Sequence, residues 1–248
     1  MKSIVCIKRV PDTEARIRVA RDGAGIDPAG VKYVMNPYDE FALEEAIRLK
    51  EAAGEGSVTV LSVGSGETSE ILRTALAMGA DEAVLLSSTE STDGLGIARA
   101  LADEIRGREF DLVLCGKQAV DDDDMAVPSM LGELLGLPCV TVVVALKIDG
   151  RRAVAHREIE GGHEVVEFDL PAVVGAQKGL NEPRYPSLKG IMAAKKKPLE
   201  VKEVRLAEPK LRIASLEEPP GRAEGEIIGE GTEAVPELVR RLRERALI

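Results

Sequence analysis

The sequence predicts an α/β fold: a doubly wound, mostly parallel sheet with helices on both faces, followed by a C-terminal extension. Three observations carry that expectation. Short apolar, β-branched runs alternate with segments whose apolar residues recur at helical spacing. The runs end at glycine or proline, where strands turn into the next element. The strand–helix alternation holds over roughly the first 140 residues of 248, which implies right-handed crossovers between parallel strands.

The elements follow in chain order. SIVCIKRV (residues 3–10) reads as a first buried strand, ended by Pro11-Asp12. After Asn36-Pro37, YDEFALEEAIRLKEAAG places Phe41, Leu43, Ala46, Ile47 and Leu49 on one helical face, with Gly54 as the stop. SVTVLSVG (57–64) is a second strand, and Gly64-Ser65-Gly66 leads into the helical ETSEILRTALAMGAD. AVLLSS (83–88), the helical LGIARALADEIRGR and FDLVLCG (110–116) continue the pattern. The sequence then turns β-rich from Cys139 to Ala176, with Asp149-Gly150 and Gly161-Gly162 as tight turns, giving strands that extend or flank the main sheet.

In LNEPRYPSLKGIMAAKKK (180–197), Pro183, Pro186 and Gly190 exclude a long helix or an interior strand. Leu188, Ile191 and Met192 are nevertheless apolar, and three lysines follow at 195–197. Past Lys197 the pattern thins until the amphipathic PELVRRLRERALI. A tail with so little core must lie against its own domain or a partner. The expected division is 1–180 for a Rossmann-like nucleotide-binding domain, 181–197 for a partner-recognition loop, and 198–248 for an arm and helix packing on a partner subunit.

Composition removes several functions. A net charge of -10 argues against general nucleic-acid binding, and no Trp with three Tyr and three Phe makes a poor stacking platform. No apolar run approaches the ~20 residues that span a bilayer, and Lys8 and Arg9 interrupt the first apolar patch too early for a signal peptide; a cytoplasmic location is expected. Cys6, Cys115 and Cys139 form no CxxC pair and read as buried reduced thiols. Two histidines, His156 and His163, leave little for a zinc site or a hydrolytic triad, and both read as hairpin surface residues.

Ligands of such sheets bind beyond the carboxyl ends of the strands, here after Val10, Gly64 and Gly116. The loop VGSGE (63–67) could present backbone N–H groups to a phosphate or an adenine edge, or be no more than a tight turn. In GKQAVDDDDMAVP (116–128) four aspartates could suggest a cation, but capping of the next helix is the plainer reading, with Pro128 in its first turn.

Taken together, VKYVMNPYDE with ALEEAIRLKE, ILRTALAMGAD, LVLCGKQAVDDD, REIEGG, PAVV and LNEPRYPSLKGIMAAKKK resemble the beta subunits of electron transfer flavoproteins over nearly the whole chain. The resemblance implies an electron-carrier subunit rather than an enzyme, paired with an alpha subunit that binds FAD. The heterodimer would take electrons from flavin dehydrogenases such as acyl-CoA dehydrogenases, the entry to fatty acid beta-oxidation, and pass them to a quinone oxidoreductase. It further implies a structural AMP lined by Cys6, Asn36, Val63, Gly64, Gly116, Ala119 to Asp122, Met125, Ala126 and Val127. Met125, Ala126 and Val127 stand where AMP-binding relatives carry small polar residues, so backbone amides would have to meet the phosphate. Electron-bifurcating relatives hold a second FAD instead, with a glycine among the acids; Asp121 to Asp124 has none, which favours AMP. Tyr38 and Thr13 fall near the flavin of alpha, and Glu158 matches a residue pairing with alpha's mobile domain. Leu188 matches an anchor for the dehydrogenase, with Ile191, Met192, Lys195 and Lys196 around it. The rivals are a stand-alone ATP-binding or AMP-forming enzyme, which needs phosphate-handling cations beyond Lys8, Arg9 and Lys117, and a nucleotide-sensing scaffold.

Overall fold

The computed structural model describes residues 1–221 and 224–248. Its strands are β1 (Lys2–Cys6), β2 (Arg9–Pro11), β3 (Tyr33–Met35), β4 (Ser57–Gly64), β5 (Glu82–Ser87), β6 (Leu112–Gly116), β7 (Cys139–Asp149), β8 (Arg152–Ile159), β9 (Gly162–Asp169), β10 (Ala172–Ala176) and β11 (Leu199–Glu203). Its helices are α1 (Pro37–Ala53), α2 (Ser69–Met78), α3 (Gly94–Arg106), α4 (Ala126–Leu135), α5 (Leu188–Ala194) and α6 (Val235–Glu244). Among the described residues nine strands form one sheet in the order β11-β5-β4-β1-β6-β10-β7-β8-β9. All neighbours are parallel as far as β7, and β8 and β9 then add antiparallel. The doubly wound expectation is met.

Strand periodicity divides the core into two layers. Val5, Val58, Val60, Leu112 and Leu114 pack with α1 and α2, and the alternate residues Ile4, Cys6, Leu61, Val113 and Cys115 pack with α3 and α4. Burial on both faces is why these strands read as continuous apolar runs rather than alternating ones. α1 stops where the sequence says it should, with Gly54 left-handed at φ 71°. The three cysteines are free, two buried and Cys139 half-buried.

Three departures matter. The first predicted strand is divided: β1 ends at Cys6, and residues 9–11 leave the sheet to pair with β3. The division falls at Lys8, whose N–H donates to Asp39 Oδ2 at 2.7 Å while its carbonyl accepts from Asn36 N–H at 2.9 Å. In the β-rich region, Val142 at φ 62° and a register shift between Val143 and Ala145 bend β7. The hairpin strands then bury Ala153 and Ala155 in the layer of α1. Finally, the arm begins as an edge strand, β11 beside β5, which no apolar alternation announced. It continues along the head of α3, where Asp93 Oδ2 accepts from Lys210 and Leu211 N–H, and reaches Gly23 through a bond from Leu216 N–H. Arg222 and Ala223 of the expected arm lie outside the described residues. α6 forms where expected, and none of its described residues is buried.

Candidate functional site

The carboxyl ends of β1, β4 and β6 lie side by side at one edge of the sheet, where a doubly wound fold offers its ligand crevice, and the start of α1 organises that edge. Pro37 opens α1 with its fixed φ, and Asp39 sits in the first turn, where a carboxylate favours the helix N-terminus. Asp39 accepts from Lys8 N–H at the end of β1 and, through Oδ1, from Gly116 N–H at the end of β6, at 2.9 Å. Burial pushes its pKa up to about 7, against the hydrogen bonds from Asn36, Lys8 and Gly116 that favour the charged form. Asn36, also buried, donates to Gln118 O at 2.8 Å and accepts from Val120 N–H at 3.2 Å. One helix start therefore ties two strand ends and the acidic loop together. A Cβ on Gly116 would lie 2.4 Å from Asp39 Oδ1 and 2.6 Å from Tyr38 Cβ, so only glycine fits.

The four aspartates are spent locally. Lys8 Nζ reaches Asp121 at 2.8 Å and Asp122 at 3.0 Å; burial works against its ammonium, but those bonds prevail and raise its pKa. Asp123 adopts φ 55° and accepts from Gln118 Nε2, and Asp124 accepts from Ala126 N–H at 2.8 Å. Asp124 thus holds the first N–H of α4 through a local turn, but the cap position is Met125 and carries no side-chain bond. Among the described residues no group of three or more His, Cys, Asp or Glu could hold a metal ion. Cys6 and Cys115 are paired neighbours on the floor of the crevice; the Cys6 hydrogen bond and burial hold the Cys115 thiol well above its usual pKa.

The expected residues fall at this edge of the sheet: Cys6, Val63, Gly64 and Gly116 close β1, β4 and β6, Asn36 is tied to the loop that carries Ala119 to Asp122, and Met125, Ala126 and Val127 open α4. Of the four N–H groups that a helix start leaves free, here those of Met125 to Pro128, Ala126 is used by Asp124 and Pro128 has none, leaving Met125 and Val127. The nearby cations are engaged as well: Arg9 pairs with Glu67 at 3.0 Å and stacks on Tyr33, and Lys117 lies over the Tyr38 ring. Tyr38 is half-buried at the crevice wall, while Thr13 is exposed in the turn beyond β2.

The region of 180–197 is a separate surface. It contains a two-turn helix, α5, capped by Ser187, which accepts from Gly190 N–H. Leu188 is 84% exposed, Met192 65% and Ile191 45%. Packing of all three beneath the loop is thereby excluded. Lys195 and Lys196 are exposed, but Lys197 is not available to a partner: its ammonium donates to Leu76 O and Ala80 O at the end of α2. Glu158 is exposed on β8 and accepts from Gln177 Nε2 at 2.8 Å.

Comparison with known proteins agrees with this geometry. A family model described as "Electron transfer flavoprotein domain" matches residues 24–207. Proteins named "Electron transfer flavoprotein subunit beta" from Bacillus subtilis, Syntrophomonas wolfei and Homo sapiens are 43%, 44% and 40% identical. The Bacillus match covers 100% of both chains, the Syntrophomonas match 91% of this chain and 88% of that protein, and the human match 98% and 97%. The chain belongs to the electron transfer flavoprotein beta subunits.

For this beta-family chain, sequence reasoning missed two features. Asp39 was hidden inside a helical pattern, and its signal was an acid two residues after a helix-opening proline. Tyr185, 94% exposed between two prolines, belongs to the same surface as the apolar trio in sequence and was passed over. Among the described residues no helix is long and apolar enough to cross a membrane.

Proposed function

We propose that this chain is the beta half of a heterodimeric electron carrier, holding a structural AMP in the crevice and docking flavin dehydrogenases through residues 185–196. The FAD that carries the electrons would be bound chiefly by the alpha subunit, with Tyr38 and Thr13 facing it, Glu158 meeting alpha's mobile domain and a quinone oxidoreductase as acceptor. Flavin, when bound there, supplies the redox chemistry, and this chain's residues position and dock.

The observation that carries the reading is the pairing of a polar, backbone-rich crevice with an exposed apolar segment on a full-length match to the family. Asn36, Val63, Gly64 and the 119–122 backbone suit a nucleoside. The phosphate would meet Val127 N–H and the Lys8 ammonium, the cation nearest the aspartates. A second FAD in place of AMP is the alternative. It is disfavoured because Asp123, not glycine, occupies the left-handed position in that loop.

The test is the nucleotide released on denaturing heterodimer purified from co-expression. One AMP and one FAD per heterodimer is the expected content. Two FADs would replace this reading with the bifurcating one, and ATP turnover by the isolated chain would contradict a carrier role.

A further inference from the structure

Arg184 makes a fork across two carboxylates of α1. Nε and Nη2 donate to the two oxygens of Glu44 at 2.8 and 3.0 Å, and Nη1 and Nη2 to those of Glu51 at 2.7 and 2.9 Å. Its backbone N–H adds a further bond to Glu44 at 3.2 Å. Glu44 and Glu51 are two helical turns apart and share a face, and the Glu44 side chain is only 6% exposed. Glu51 first, then Glu44, hold the guanidinium pKa above its ordinary value. Asn181 adds bonds to Phe41 O and to Glu45. One end of the exposed segment is therefore fastened to α1.

The other end is fastened to α2. Arg73 donates to Ala194 O at 2.8 Å and to Lys197 O at 2.9 Å, and the Lys197 ammonium returns to Leu76 O in the last turn of α2 and to Ala80 O just beyond it. α5 lies so close that a Cβ on Gly190 would be 2.3 Å from Ala77 O. Between these clamps Tyr185, Leu188 and Met192 project to solvent.

A flexible loop must be ordered when it docks, at about 0.5–1.5 kcal/mol for each immobilised side chain, and prior ordering removes that cost. A bidentate ion pair at one end and charged donors on backbone carbonyls at the other, with apolar side chains held outward between them, match that requirement. We infer that Arg184 and Arg73 are positioning residues that pre-order residues 185–193 for dehydrogenase docking; the inference rests on the docking reading above.

The test uses the heterodimer, with an acyl-CoA dehydrogenase and its acyl-CoA as probe. Arg184→Leu, Arg184→Lys, Arg73→Leu and the milder Glu51→Gln are compared with Leu188→Ala. Arg184→Leu should speed amide exchange over 181–197 and raise KM for the flavoprotein about fivefold, with kcat and flavin content unchanged. Arg184→Lys should fall between, since a point charge cannot bridge both carboxylates. Glu51→Gln, which keeps the Glu44 pair, should show the same signs at smaller size. Unchanged exchange in Arg184→Leu and Glu51→Gln overturns the proposal. A KM raised by Leu188→Ala but not by Arg184→Leu overturns the positioning role alone, and a KM moved by neither overturns the docking reading together with it.

Discussion

The crevice and the proposed docking segment use their residues in opposite ways. In the crevice polar groups turn inward and are consumed: Asp39 takes two backbone donors, Asn36 donates to one loop group and accepts from another, and Lys8 neutralises Asp121 and Asp122. In the proposed docking segment Arg184 and Lys197 face the body of the protein, while the apolar residues, with Lys195 and Lys196, face water. The first arrangement fixes a shape, because a buried polar group left unpaired costs about 1–3 kcal/mol. The second stores binding energy, since exposed apolar area is recovered only when a partner covers it. Mutations should therefore separate: crevice changes should alter stability and nucleotide content, and segment changes should alter partner kinetics.

The largest expected break of that division is Gly116→Ala. Its Cβ would displace Asp39 and Tyr38 together, so a loss of about 3 kcal/mol in unfolding free energy is expected, with AMP lost from the purified heterodimer. Chemical denaturation and nucleotide quantitation read both.

Asp39→Asn should have a smaller effect that depends on pH. The folded pKa of about 7 lies above the ordinary 3.8, so the folded state holds this proton more firmly than the unfolded chain. Stability from this group is then fully present at low pH and declines as pH rises from about 4 to 7. Asparagine does not titrate, so the variant's melting temperature should lack that component of the decline. Identical pH profiles for the two proteins would contradict the buried carboxylate. The smallest effect belongs to Lys195→Gln with Lys196→Gln, which should slow dehydrogenase association a few-fold at low salt and not at high salt.

How much of this was legible follows from range. The core strands and α1 to α3 were readable because their periodicity is local and each ends at a local signal, Gly54 among them. The division of the first strand at Lys8 was not, because the residues that cause it, Asn36 and Asp39, lie about thirty positions away. β11 was missed for a related reason: this largely exposed edge strand carries charges such as Glu200 and Lys202, and its pairing with β5 is set by tertiary placement. In the crevice, the positions of Gly64 and Gly116 were clear from strand-end rules. The hub role of Asp39 was concealed by its helical context. At the docking segment the anomaly of apolar residues among turn-makers was visible at once, but the fate of Lys197 was not. A lysine run looks uniform in sequence, and only the carbonyls at the end of α2 distinguish its third member.

On the proposed function, partner recognition resides in the exposed segment and not in the crevice. The direct measurement is steady-state electron transfer from an acyl-CoA dehydrogenase to Leu188→Ala heterodimer, with AMP and FAD content determined on the same sample. The expected result is a KM for the flavoprotein raised about tenfold or more, as for removal of an interface anchor, with both nucleotides and the melting temperature unchanged. An unchanged KM, or a raised KM accompanied by loss of nucleotide, would contradict it.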